Sequence, residues 1–314
     1  MTNIPVFFSP NLVAPDQGAS PSAHKPAAVV ADWKSRGFPI NVIEPIPATR
    51  EQLLRAHAAD FIDGVLALRR NNGFGNRSAA VAASLAHTSG AMLAAARAAL
   101  GNGRVAVAPV SGFHHACYDV GGGYCTFNGL MVAACSLHAE GVVSRVGILD
   151  FDQHYGNGTA DIIKTLDIDW VEHVTAGARW QHARQAPQFL DAIPDIVARM
   201  SGCDLILYQA GADPHVDDPL GGWLTTKQLY ERDLRVFSAA AEWKVPIAWN
   251  LAGGYQRTAD GGIEPVLKIH RNTMDACVRN YTGLGKARTP MPWQANREVL
   301  LGASVALSNL CPKR

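Results

Sequence analysis

The stretch Val146-Gly147-Ile148-Leu149-Asp150-Phe151-Asp152-Gln153-His154-Tyr155-Gly156-Asn157-Gly158-Thr159 decides how the rest of the 314-residue chain is read. An apolar run stops at Asp150, Asp152 and His154, spaced two apart, and a glycine-rich turn follows. In a strand over residues 147–151 side chains alternate faces, which would turn these three polar groups to one side. Two carboxylates and an imidazole gathered there are costly unless a cation joins them. A divalent metal is the simplest one, because Asp oxygen and His nitrogen are ordinary zinc ligands. Taken alone, the motif fits a polar loop after a buried strand equally well.

Outward from it, apolar runs at residues 6–8, 40–43, 105–108, 170–174, 205–208 and 247–251 read as further strands. Helical patterns lie between them, at 27–36, from 49 onward with Thr49 as N-cap, 61–66, 79–100, 128–140, 160–166, 187–200 and 226–242. Strands alternating with helices predict an α/β fold, a mainly parallel sheet covered on both faces. No repeat, linker or composition break divides the chain, so residues 1–314 read as one domain. A hydrophobic content of 48% against 18% charged suits a large core. The net charge of +1, with no basic block, argues against nucleic acid or membrane as partner. Six cysteines without a Cys-x-x-Cys pair read as reduced, mostly buried thiols, as in a cytoplasmic protein. The first residues lack a signal-peptide pattern, and residues 79–100, interrupted by His87, Ser89, Gly90 and Arg97, read as a buried helix rather than a bilayer span.

Ligands in open α/β sheets bind outside the carboxyl ends of the strands. Four predicted strands end in chemistry: Ser111-Gly112-Phe113-His114-His115, the Asp150 cluster, Gly211-Ala212-Asp213-Pro214-His215, and Gly253-Gly254-Tyr255. Asp152, His154 and Asp213 can supply three metal ligands and leave room for water and a substrate carbonyl. His114 and His115 would serve as general base and acid, with Asp150 and Asn157 available to their far ring nitrogens. Tyr255 could donate its hydroxyl to a developing oxyanion. The other histidines, His215 included, and Trp170, Trp180, Trp223 and Trp293 read as structural.

These segments, with Gly123-Tyr124-Cys125-Thr126-Phe127-Asn128 and Asp218-Pro219-Leu220-Gly221-Gly222, resemble the zinc-dependent histone deacetylase family, more narrowly its bacterial deacetylase-like amidohydrolases and acetylpolyamine deacetylases. The resemblance implies the arginase/deacetylase fold with an eight-stranded parallel sheet. It implies Asp152, His154 and Asp213 as zinc ligands, His114, His115 and Tyr255 as catalytic groups, and Asp150 and Asn157 as their orienting partners. Gly123, Tyr124 and Leu220 would line the pocket. It also implies a potassium ion beneath the zinc, held by Asp150 and the backbone carbonyls of Asp152 and His154.

The departures bear on substrate. Residues 71–76 offer no Asp to grip a peptide backbone, His24-Lys25-Pro26 replaces a usual His-Pro-Glu, and Tyr155 replaces a second His. Residues 175–180 lack the Phe and Pro-Gly of one tunnel wall. The leading expectation is deacylation of acetyl-lysine or an acetylated polyamine, with small metabolites favoured over proteins and iron acceptable in place of zinc. A non-catalytic acyl-amine-binding protein and a binuclear-manganese guanidino-hydrolase are the alternatives, and a homo-oligomer stays open.

Overall fold

In the computed structural model, residues 2–283 are described except 16, 17 and 19, so Cys311 and Trp293 lie outside the described residues. One parallel sheet organises the fold. Its strands are β1 (Ile4–Phe7), β2 (Ile40–Ile43), β3 (Val105–Ala108), β4 (Val146–Asp150), β5 (Val171–Thr175), β6 (Leu205–Gly211) and β7 (Ile247–Ala252), in the order β2-β1-β3-β7-β6-β4-β5. The described residues thus form seven strands, not the expected eight. After β7 the chain enters a helix, and no further apolar run joins either edge among these residues.

The helices are α1 (Lys25–Ser35), α2 (Arg50–Leu54), α3 (Ala59–Leu66), α4 (Ala79–Asn102), α5 (Gly129–Ala139), α6 (Asn157–Thr165), α7 (Ala186–Arg199), α8 (Thr226–Trp243) and α9 (Glu264–Tyr281). Alternation along each strand feeds two cores. Val105, Val107, Ile206, Tyr208, Ile247 and Trp249 face α1, α7, α8 and α9. Ala106, Ala108, Leu205, Leu207 and Ala248 face α4 and α5. Both faces are covered, which is why these strands read as nearly continuous apolar runs.

Helix α4 is long and apolar enough to cross a membrane by length and composition alone, so the interruptions at His87, Ser89, Gly90 and Arg97 are the poorer argument against a span. Its packing is the better one: Ala91, Ala95, Ala96 and Ala99 are buried in the second core. Ser78 caps its start and Gly103, at φ +63°, ends it.

The four strands expected to carry chemistry, β3, β7, β6 and β4, are consecutive in the sheet. Their carboxyl ends therefore form one floor.

Candidate active site

Strand β4 stops at Asp150, so pleat alternation does not by itself place Asp152 and His154. The backbone curls instead. Asp150 Oδ1 accepts from the N–H of Asp152 at 3.2 Å, and Asp152 Oδ1 from the N–H of His154 at 3.0 Å. Each short carboxylate caps an amide two residues on, the usual habit of Asp in turns. Asp213 arrives from the next strand, β6. The ligand atoms of Asp152, His154 and Asp213 lie within 4.8 Å of one another.

His154 Nδ1 stands 3.2 Å from Asp152 Oδ1 and 3.1 Å from Asp213 Oδ2. Asp213 Oδ2 is buried without a hydrogen bond. One ring nitrogen has one proton and cannot serve both carboxylates well. The Asp152 carboxylate, then the nearby Asp213 carboxylate, push the His154 pKa up to about 10. Burial, then repulsion from Asp152, pushes Asp213 up to about 7. An orphaned buried oxygen and two strained titrations at one point fit a cation held by this donor set.

The two imidazoles of the His pair lie beside it, with ring centroids 4.1 Å apart and planes tilted by 48°. His114 Nδ1 bonds Asp150 Oδ2 at 2.7 Å, and its Nε2 lies 3.5 Å from Asp152 Oδ1. Burial opposes a charge on His114, but Asp150 and Asp152 together outweigh it and raise its pKa to about 9. His115 Nδ1 pairs with Asn157 Oδ1, in the first turn of α6, at 2.5 Å. Burial and the neighbouring His114 lower its pKa, and a neutral amide does not restore it. Adjacent histidines thus hold opposite tendencies: one charged, one neutral.

Gly123, at φ +53°, lies so close to the His115 ring that a Cβ would come within 2.4 Å of it. Tyr124 follows at φ +65°, its ring 5.5 Å from that of Tyr255 and 5.6 Å from that of Phe74. Phe74, Tyr124 and Tyr255 thus form a row of rings where the resemblance expects the wall of a slot. Burial and the carboxylates of Asp213 and Asp152 hold the Tyr255 hydroxyl firmly protonated, as a donor must be. Leu220, by contrast, is 44% exposed on the loop after Asp218.

The sequence profile of the Histone deacetylase domain matches residues 22–168 and 169–263, well over half of the chain. The chain belongs to the histone deacetylase family. An uncharacterised protein of the cyanobacterium Picosynechococcus is 27% identical over 260 residues, 76% of this chain and 86% of that one. The acetylpolyamine amidohydrolase of Mycoplana ramosa is 28% identical over 170 residues, 45% of this chain and 49% of that one, so the chain spans about half of that relative. The crystal structure of the HDA15 HD domain superposes with a TM-score of 0.70 at 18% identity over 99% of both chains, which gives the arginase/deacetylase fold.

Within this histone deacetylase fold, several positioning residues escape the motifs. Gln209 receives the N–H of Phe113 at 2.9 Å and donates to Asp150 Oδ1 at 3.1 Å, linking the His pair to β6. Arg232, fully buried on α8, donates to the carbonyls of Phe151 and Gly211 at 3.0 and 2.7 Å. Lys25, also fully buried, donates to the carbonyl of Gly253. Burial lowers its pKa to about 8 against the pull of Asp213, Asp152 and Asp218. Trp180 is buried against Phe189, and Gly177 sits under the His154 backbone, so residues 175–180 support the floor. His215 is tied to Thr226 and the Asp217 amide, away from the ligand cluster.

Proposed function

We propose that the chain is a metal-dependent deacylase that hydrolyses the amide of an acylated aliphatic amine. The observation that carries this reading is the convergence of Asp152, His154 and Asp213 beside a pair of imidazoles of opposite tendency and the packed rings of Tyr124 and Tyr255. Zinc, or ferrous iron, held by these three residues would acidify a water and polarise the acyl carbonyl.

The chain's own groups divide the remaining work. His115, neutral and with Nε2 free of its Asn157 contact, takes the proton from the attacking water and passes it to the leaving amine nitrogen as the C–N bond breaks. His114, charged against Asp150, steadies the negative charge that develops. Tyr255 donates its hydroxyl to the carbonyl oxygen as it becomes an oxyanion. Tyr124, Phe74 and Gly123 hold an aliphatic stem and keep water off it. A potassium ion beneath that metal would be held by Asp150, whose Oδ2 takes up only His114, together with the backbone carbonyls of Asp152 and His154.

A binuclear guanidino-hydrolase needs ligands for a second ion, and the described residues bring together a single such cluster, Asp152, His154 and Asp213. The test is amide hydrolysis by zinc-reconstituted protein on an acetyl-lysine peptide and an acetylpolyamine, with Tyr255→Phe as control. We expect turnover that falls at least about 100-fold in the variant. Zinc-loaded protein that turns over neither substrate would overturn the reading.

A further inference from the structure

Beside the slot opens a groove of about 850 Å³ that shares Gly123, Tyr124 and Phe74 with it. Three guanidinium groups border this groove, those of Arg69, Arg70 and Arg77, against one carboxylate, Asp119. In a chain with 28 basic and 27 acidic residues this is a local excess, set at the entrance to the site.

None of the three is ion-paired among the described residues, and their surroundings explain why. Arg77 meets only a neutral oxygen, Asn71 Oδ1, at 3.2 Å. The stem of Arg70 lies on Gly64, and its guanidinium stands 5.7 Å over the Phe61 ring. Arg69 has Asp63 in range, but that carboxylate is held by Arg50 through two bonds of 2.8 and 2.7 Å.

The loop bearing these residues is built rather than loose. Buried Asn72 accepts from the N–H of Phe74 and donates to Asn76 Oδ1. Gly73 donates to Thr126 Oγ1 at 2.9 Å and accepts from the N–H of Tyr124 at 2.9 Å. The arginines are therefore carried on the same frame as the slot wall. Guanidinium forks on a fixed frame at a focusing cleft select anions.

We propose that the substrate carries an anionic group, in the simplest case a carboxylate, at the end of the amine remote from the acylated nitrogen, so that an acylated amino acid is preferred to an acylated polyamine. This rests on the deacylase reading and narrows its substrate class. The slot takes the acylated stem, and the groove takes the anionic end.

Three probes share an acetamide on a five-methylene chain: 6-acetamidohexanoate, its primary amide, and N-acetylcadaverine, whose ends are negative, neutral and positive. With zinc-loaded protein we expect kcat/KM at least about 10-fold higher for the carboxylate than for the amide, lower still for the ammonium, and a gap that narrows with salt. Arg69→Gln/Arg70→Gln/Arg77→Gln should bring the carboxylate-to-amide ratio near one through KM, and Arg77→Gln alone should lower it in part. Turnover without preference, or preference for the ammonium, would overturn the proposal and leave the deacylase standing. Calorimetric binding of the same probes to Tyr255→Phe separates the two readings. A carboxylate preference in binding, with no turnover of any probe by the unmutated protein, would sink the deacylase and keep the charge selection. Absence of both would remove it as well.

Discussion

Asp218 Oδ2 accepts the backbone N–H of Tyr255 at 2.8 Å, while its Oδ1 accepts that of Leu220 at 3.0 Å. A buried carboxylate thus fastens the loop after β6 to the turn after β7, and it fixes the backbone from which the Tyr255 ring reaches the slot. Asp218→Ala leaves two amides without their acceptor, at about 1–3 kcal/mol each when water cannot replace it. We expect kcat to fall about 10–100-fold with metal content unchanged, and Asp218→Asn to recover only part of it, because its one amide oxygen can serve Tyr255 while its NH2 then faces the Leu220 N–H. Steady-state kinetics beside zinc analysis would check this, and an Asp218→Ala enzyme at full kcat would refute it.

Loading the metal should release protons. His154 is pushed up to about 10 by the two carboxylates, and burial beside Asp152 raises Asp213 above the carboxylate range. The metal-free site at pH 7 therefore holds a proton on the first and tends to hold one on the second. Both must leave before three ligands face a cation, so about one to two protons should be released per zinc. The affinity should rise with pH up to about 10, where His154 loses its proton unaided. Calorimetry in two buffers of different ionisation enthalpy measures the number directly. A value near zero would mean that these residues do not take up the ion.

The cluster of Asp152, His154 and Asp213 and the His pair were legible because they follow apolar runs, and strand ends in this fold share one floor. The convergence of Asp152 and His154 was legible for the wrong reason, since turn hydrogen bonds rather than the pleat bring them together. What hid were groups acting through backbone atoms far along the chain. Lys25 reaches Gly253 across 228 residues and Gln209 reaches Phe113 across 96. Neither leaves a local pattern, because an apolar run around Gln209 and a Lys before a Pro are both ordinary. Helix α9 also went unread between the fourth motif and the end of the described chain.

Gly253 and Gly103 offer a matched pair. Both have positive φ, +50° and +63°, so an Ala at either is strained by about 1–2 kcal/mol. At Gly103 a Cβ meets open space, whereas at Gly253 it would stand 2.2 Å from Asp213 Cγ. We expect Gly103→Ala to lower the melting temperature by a few degrees and leave zinc binding intact. Gly253→Ala should displace the Asp213 carboxylate and cut bound zinc by at least half after dialysis. Equal zinc in both variants would show that the floor tolerates the shift.

Buried His57 sets a pH limit on the fold rather than on the chemistry. Its Nδ1 donates to the carbonyl of Cys117 at 2.9 Å and its Nε2 accepts from the N–H of Asn128 at 2.8 Å, so the native ring is neutral. Burial holds its pKa down to about 4, against 6.5 when exposed. The unfolded chain therefore takes up a proton that the folded one refuses. The stabilisation is fully present above pH 6.5 and is lost as pH falls toward 4, by up to about 3 kcal/mol at 1.36 kcal/mol per unit. His57→Gln can offer an amide N–H and an oxygen to the same two partners without titrating. Urea midpoints of the two proteins should lie closer together at pH 5 than at pH 7, because only the unmutated chain loses this contribution on acidification. Parallel losses in both would mean that another group governs the acid limb.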